Sequence, residues 1–317
     1  MSAGLSKQQD VVVHAQAVLA HHAKSFRLAS LFLPRDSSND AAVVYSFCRL
    51  VDDAVDEAPN IHEAKTQAAL LRAELKREVA PREEVAAFLD VAHRCGIPLY
   101  VAHDLMDGVC SDLGSVALQS QEELAQYCYR VAGTVGLMMC GVIGVQDPKA
   151  FPYAVDLGLG MQLTNICRDV LEDARRGRVY IPAEYLHKYG VGHEAILDES
   201  IDKEILSQIV CSMLDIAEHC YNRAYLGMRY IPAKTRLAIL IALRVYRSIG
   251  RRLRRVHNGN AFHGRTIVPS WQKGFEVILG VGDFFSPRTW RSASRIPQSP
   301  LYNEWSSLRG LSSHPIQ

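Results

Sequence analysis

The sequence of 317 residues lacks a strong charge of either sign, because 35 lysines and arginines nearly balance 34 aspartates and glutamates. With a formal net charge of +1, the chain has no overall field that would attract nucleic acid, and none is expected as a partner. No apolar run reaches the roughly 18 residues that a spanning helix needs. The start, MSAGLSKQQD, lacks the basic segment and apolar core of a secretory signal. We expect a cytoplasmic protein, with peripheral membrane contact at most.

Cysteine patterns that bind metals are also missing. Eight cysteines are scattered without a CxxC pair or a Cys/His cluster at zinc spacing, which predicts reduced thiols. The stretch GLGMQL at 158–163 has two glycines of a dinucleotide fingerprint but lacks the third, and no predicted strand precedes it. We therefore expect that NADPH is not required.

Alternation typical of strands is nearly absent, and helical periodicity dominates the chain. The pattern predicts one all-α domain over residues 1–283. From residue 284 the sequence is rich in Ser, Pro and Arg, so 284–317 is expected to be a loosely packed or disordered tail. The predicted helices, which end near prolines, glycines or capping residues, span 8–33, 38–57, 61–79, 83–95, 98–111, 121–146, 149–175, 183–188, 200–230 and 233–256.

The stretch YSFCRLVDDAVDE at 45–57 places four acids in an otherwise apolar helix. Asp52 and Asp56 lie one turn apart on the same face, and Asp53 flanks them. Like charges at this spacing repel, and burying them uncompensated would cost several kcal/mol each. A divalent cation with oxygen ligands would offset the repulsion. The alternative is an acidic face exposed to solvent.

A second acidic helix changes the balance between these alternatives. In MQLTNICRDVLEDARRGRVYIP at 161–182, Asn165, Asp169 and Asp173 recur every four residues, and arginines follow directly. Arg168 lies beside this face, as Arg49 lies beside the first cluster. Carboxylates suit a cation, whereas arginines suit a phosphate. Both together indicate a metal that bridges carboxylates to a diphosphate, at the mouth of an apolar cavity.

These stretches, with YCYRVAGTVGLMM at 127–139, resemble the squalene/phytoene synthase family; 127–139 and 162–182 most resemble phytoene synthases. The resemblance runs from about His22 to Pro269. It implies a single-domain isoprenoid synthase bundle with a central cavity between two Asp-rich helices. It also implies Mg²⁺-dependent condensation of two prenyl diphosphates, head to head, through a cyclopropyl diphosphate, with Mn²⁺ able to substitute. The product would be phytoene from two geranylgeranyl diphosphates, in carotenoid biosynthesis.

The resemblance also implies roles for individual residues. The catalytic set would be Asp52, Asp56, Asp169, Asp173 and Arg168. The metal ligands would be Asp52, Asp53, Asp56, Asn165, Asp169 and Asp173. The substrate would contact His22, Ser25, Tyr45, Arg49, Gln162, Asn165, Arg168, Tyr246 and Arg265. Ala23 departs from a serine that is common in the family, which puts one phosphate contact in doubt. Gly133 and Gly136 would let a polyprenyl chain approach the backbone.

Several alternatives remain open at this stage. A squalene or dehydrosqualene synthase would use two farnesyl diphosphates. A terpene cyclase or chain-elongating synthase would use the same metal chemistry, but QLTN followed by RDVLED and ARRGRVY disfavours both. A non-catalytic prenyl-diphosphate-binding protein would have lost acids, and both acid pairs are intact. Oligomeric state and the choice of C15 or C20 chains are not determined; candidates for the cavity floor are Phe26, Leu137, Met138 and Leu159.

The motif RRLRR at 251–255 fits either of two functions. It can be a solvated last turn that the helix dipole favours. It can also contact anionic lipid headgroups.

Overall fold

The computed structural model describes residues 2–290 and residue 301, without the side chains of residues 2–8 and 288. This part of the chain folds almost entirely into helices, which confirms the all-α prediction. Two strands of two residues each, β1 (Val116–Ala117) and β2 (Arg178–Val179), pair in parallel. The helices are α1 (Ser2–His22), α2 (Lys24–Ser30), α3 (Arg35–Asp56), α4 (Ile61–Leu75), α5 (Glu83–Cys95), α6 (Leu99–Cys110), α7 (Gln121–Cys128), α8 (Thr134–Val142), α9 (Phe151–Arg175), α10 (Ala183–His187), α11 (Glu194–Leu197), α12 (Lys203–Gly227), α13 (Ala233–His257), α14 (Ser270–Phe285) and α15 (Pro287–Trp290).

The prediction of one helix over 8–33 is wrong, because the structure has two helices in this region. α1 ends at His22, Ala23 leaves the helical conformation with φ −130° and ψ 63°, and α2 begins at Lys24. No proline or glycine marks this break, so the residue pattern gave no sign of it. The break lets α2 turn and pack against α13.

The predicted helix over 121–146 is nearly continuous but contains one wider turn. Residues Tyr129–Gly133 form a π-helical turn that joins α7 to α8. Such turns insert an extra residue into a helix and often occur at functional sites. Here Val131 and Ala132, inside the turn, line the central cavity.

α9 is the central helix, and it packs against α12, α13, α8 and the π-helical turn. Glycines allow the closest of these contacts. A Cβ on Gly158 would lie 2.3 Å from the carbonyl oxygen of Ala132, and one on Gly136 would lie 2.4 Å from that of Ala154. Gly136 thus serves helix packing as well as the cavity wall. Gly133 does not line the cavity; it faces Tyr129 and the core, contrary to the role that the resemblance implied.

The chain beyond α13 continues the helical structure past the predicted start of the tail. α14 extends to Phe285, and α15 follows it. Leu301 is buried. Residues 291–300 and 302–317 lie outside the described part of the chain, so the tail and its boundary stay predictions. None of the described helices combines the length and the apolar character that crossing a membrane requires.

The contact between α9 and the π-helical turn can be tested by adding one methyl group. Gly158→Ala forces two backbones apart, and we expect it to lower the free energy of unfolding by about 1–3 kcal/mol. The matched control is Gly274→Ala in α14, where an added Cβ meets nothing within 4 Å. Alanine there should stabilise the helix by up to about 1 kcal/mol. Urea denaturation measures both, and a Gly158→Ala protein as stable as the control would contradict the close contact.

Candidate active site

A cavity of about 320 Å³ lies between α3, α8, α9, α12 and α13. Most of its wall is apolar. Five polar side chains gather at one end, where the cavity meets the acidic segments of α3 and α9. They are Tyr45, Asp52, Gln162, Asn165 and Tyr246. The structure therefore brings both acidic helices to the same opening, as the sequence predicted.

α9 shows how the cavity is polarised along its length. The residues of α9 that line the cavity lie on one helical face, from Tyr153 through Ala154, Leu157 and Met161 to Asn165. Twelve residues at 1.5 Å each span about 18 Å. The end near Asn165 is polar, whereas Ile143, Val145 and Ile231 line the cavity near Tyr153. A long apolar chain with a charged head matches this polarity.

The predicted floor of the cavity is largely wrong. Phe26 lines the cavity, but Leu137, Met138 and Leu159 do not, and all three are buried in the surrounding core. Their neighbours Gly136, Met139 and Gly158 line it instead. Consecutive helical residues point about 100° apart, so an error of one position turns a side chain out of the cavity.

In the first acidic cluster, each acid has a different environment. Asp52 lines the cavity, and burial raises its pKa to about 7; Arg49 opposes this shift, and neighbouring acids add to it. Asp53 forms an ion pair with Arg49. Asp56 pairs with arginines that follow α9, at 2.8 Å from Arg178 Nη2 and 3.4 Å from Arg176 Nη1.

The second cluster repeats this combination of acids and arginine. Asn165 Nδ2 donates to Gln162 Oε1 at 3.3 Å, and the buried Asn165 Oδ1 has no hydrogen-bond partner among the described residues. Arg168 forms a two-point ion pair with Asp169, with Nε 2.8 Å from Oδ1. Burial raises the pKa of Asp173 to about 7, and the charges of Asp169 and Glu172 add to the shift.

Arg178 links the two clusters, a contact that the sequence did not assign. It lies in β2 just after α9 and binds Asp56 of α3, and its charge partly offsets the rise in the pKa of Asp173. Asp112 was not predicted from the sequence as a residue of the site. It is buried after α6, accepts a hydrogen bond from Tyr127 Oη at 2.9 Å, and has a pKa that burial raises to about 6. A lone aspartate after an apolar helix carries no recognisable sequence signal.

The remaining predicted substrate contacts divide into two groups. The ring of Phe26 on α2 lies 5.0 Å from that of Tyr246 and 6.3 Å from that of Tyr45, so α2 covers the polar end. Arg265 reaches the second cluster, 3.5 Å from Asp169. In contrast, His22 is exposed and Ser25 is half-buried, and neither lines the cavity. Their predicted role is not supported by a contact in this structure.

The metal assignment remains a prediction. Within the described part of the chain, no three His, Cys, Asp or Glu side chains stand close enough to hold an ion together. Arginines pair with Asp53, Asp56 and Asp169 instead, and they reduce the repulsion between acids. The donor set does fit magnesium, because every candidate ligand supplies oxygen and Asn165 Oδ1 is buried without a partner.

The fold and the site define a class of protein: a helical isoprenoid synthase, with an apolar cavity between two acid-rich helices. A sequence model of the squalene/phytoene synthase family matches residues 19–272, and the chain belongs to that family.

Individual relatives agree with this assignment. A 15-cis-phytoene synthase from a Paracoccus species is 34% identical over 96% of this chain and 98% of its own. A phytoene synthase from Thermus thermophilus is 36% identical over 75% of this chain and 81% of its own. A solved dehydrosqualene synthase with a bound ligand superposes with a TM-score of 0.79, at 26% identity over 87% of this chain and 97% of its own.

The raised pKa of Asp52 predicts a pH-dependent stability of the metal-free protein. Between about pH 4 and pH 7 the folded state binds more protons at this site than the unfolded chain, so its stability falls as pH rises. Asp52→Asn removes the charge. We expect the variant to be about 1–3 kcal/mol more stable than wild type near pH 8, with less than half of that gain near pH 5.

Urea denaturation in EDTA at both pH values measures this difference. Asp10→Asn, at an exposed position of α1, controls for the loss of one negative charge. Equal effects of the two substitutions at both pH values would show that Asp52 is not destabilised by burial.

Proposed function

We propose that this chain is a prenyltransferase that condenses two geranylgeranyl diphosphates head to head, giving phytoene through a cyclopropyl diphosphate. One observation carries the proposal: a single apolar cavity opens at a polar end that Asp52 of α3 shares with Gln162 and Asn165 of α9. A diphosphate at this end would place its polyprenyl chain along the apolar wall. The phytoene synthases among the relatives support this choice of substrate and product.

The acids at the opening would hold magnesium, with manganese able to substitute. The ligands would come from Asp52, Asp53 and Asp56 on α3 and from Asn165, Asp169 and Asp173 on α9. When bound, the metal would neutralise charge on the departing diphosphate. The ionised acids that bind it would then no longer repel one another, which relieves the cost of their burial.

The arginines would bind the phosphate oxygens that the metal leaves free. Arg49, Arg168 and Arg178 now pair with Asp53, Asp169 and Asp56, so each is held at the polar end before substrate arrives. A guanidinium offers two parallel N–H donors to a phosphate. Tyr45 adds a hydroxyl donor there, because burial raises its pKa to about 12 and keeps it neutral.

The cavity must protect an allylic cation from nucleophiles once the diphosphate has left. Water is excluded by the apolar wall and by Phe26 over the opening. The cavity also contains two cysteines, whose thiolates would trap a cation. Burial raises the pKa of Cys140 to about 12 and that of Cys48 still further, so both stay neutral thiols. The double bond of the second substrate is then the available nucleophile.

A second candidate uses the same site with shorter substrates. The superposition on a dehydrosqualene synthase favours it, because that enzyme shares the fold closely. Two farnesyl diphosphates would then give a C30 product. The phytoene synthases are more similar in sequence and cover most of the chain, so we place the C40 product first.

Product analysis separates the two candidates. Purified protein with Mg²⁺ and geranylgeranyl diphosphate, without NADPH, should release a C40 triene that mass spectrometry identifies. Farnesyl diphosphate should give much less hydrocarbon. A C30 product as the main outcome would establish the second candidate, and its dependence on NADPH would separate squalene from dehydrosqualene. A folded protein that forms no hydrocarbon from either substrate would refute both.

Removal of one α9 carboxylate tests the metal assignment. Asp169→Asn should lower kcat by on the order of a hundredfold or more, because it removes a proposed ligand and the partner of Arg168. EDTA should abolish wild-type turnover, and added Mg²⁺ should restore it. Asp198→Asn, on the turn after α11, is the matched control and should keep full activity. Unchanged turnover in Asp169→Asn, or in EDTA, would contradict the assignment.

A further inference from the structure

α14 carries a continuous apolar stripe on its outer side. Trp271, Phe275, Ile278 and Phe285 recur at helical spacing, and Ile278 and Phe285 are 67% and 75% exposed. Val281 lies in the same stripe. Trp290 of α15 lies outside the stripe, because its ring packs against Phe284 and over Arg236 of α13. Single exposed apolar residues are ordinary, but a contiguous stripe of large ones marks an interaction surface.

The charges of α14 are arranged so that the stripe carries no carboxylate. Its two acids, Glu276 and Asp283, both bind Arg244 of α13, at 3.1 Å and 2.6 Å. Gly280 on the same inner face packs against Ile241. The inner face of α14 is thus occupied by α13, while the outer face consists of apolar side chains.

Cations lie beside the first turn of α14. Arg252 of α13 donates to Gln272 at 3.5 Å, next to Trp271, and Arg255 lies one turn further along α13. Neither arginine forms an ion pair with a described residue, and the same holds for Lys273 of α14. In the RRLRR motif, Arg251 and Arg254 pair with acids of α12, so Arg252 and Arg255 are the two arginines left for another partner.

We infer that the outer face of α14, with Arg252, Arg255 and Lys273, docks on an anionic lipid surface. An amphipathic helix that lies in the plane of a membrane buries an apolar face rich in Trp and Phe and places cations at the headgroups. Trp271 at the start of the stripe fits this boundary. At 16 residues α14 is about 24 Å long, which suits a helix lying on the surface.

A second copy of the chain fits this face less well. A twofold interface pairs a surface with itself, so the free cations would need acids on the same surface. The acids that α14 could offer are already bound to Arg244. Anionic headgroups supply the missing negative charge.

Binding to lipid can be measured without turnover, so its result is independent of the proposed reaction. The full chain is sedimented with vesicles of phosphatidylcholine, with and without phosphatidylglycerol. We expect binding to the anionic vesicles, which salt weakens. Trp271, one of three tryptophans, lies in the stripe and is exposed, so the tryptophan emission should shift to the blue on binding.

Variants locate the surface. Ile278→Asp together with Phe275→Asp should weaken binding on the order of tenfold or more, since both side chains point outward. Val13→Asp, at an equally exposed apolar position of α1, is the matched control and should bind as wild type does. Arg252→Gln with Arg255→Gln should weaken binding to anionic vesicles on the order of tenfold. Circular dichroism checks folding, and the arginine pair still tests the surface if the aspartate variant does not fold.

Three results would overturn the inference. One is a wild-type protein that binds neither vesicle. Another is binding that the α14 and α13 variants retain in full. The third is a dimer that forms without lipid, is lost in Ile278→Asp and does not bind vesicles, which would assign the stripe to a second copy.

Discussion

Carboxylates held at the edge of an apolar cavity are the constraint on which the rest of this structure depends. Burial opposes their ionisation, and close spacing on two helices adds repulsion. Three arginines, from α3, α9 and β2, reduce this repulsion because they form ion pairs with the acids. One of them connects the two acidic helices. The polar end is therefore organised without a ligand, and the proposed function has the same arginines bind a diphosphate.

The shape of the cavity depends on α9. One face of this helix carries the acids and, further along, the apolar wall. A single rigid element would therefore align the head and the chain of the proposed substrate. Glycines at positions 136 and 158 let α8 and the π-helical turn approach it closely. A larger residue at either position would widen the gap between these elements and change the cavity wall.

α13 connects the cavity with the surface. Its inner side contributes Ala242 and Tyr246 to the cavity, while Arg244 on another side holds both acids of α14. This ion-pair arrangement fixes the orientation of α14 and leaves its apolar stripe outward. The proposed lipid-facing surface is thus one helix away from the proposed site of chemistry, which suits substrates and products that are themselves apolar.

The sequence by itself determined the helical class, the two acidic faces and the residue types at the polar end. These features follow from local periodicity, because carboxylates four residues apart share a helical face wherever the helix lies. Tertiary structure alone decided the break at Ala23, the bridge from Arg178 to Asp56 and the burial of Asp112, which depend on residues distant in sequence. It also decided which residues line the cavity. Phe26 was found from the sequence, but Leu137, Met138 and Leu159 were not correct, because the orientation of a helix about its axis is set by packing against its neighbours.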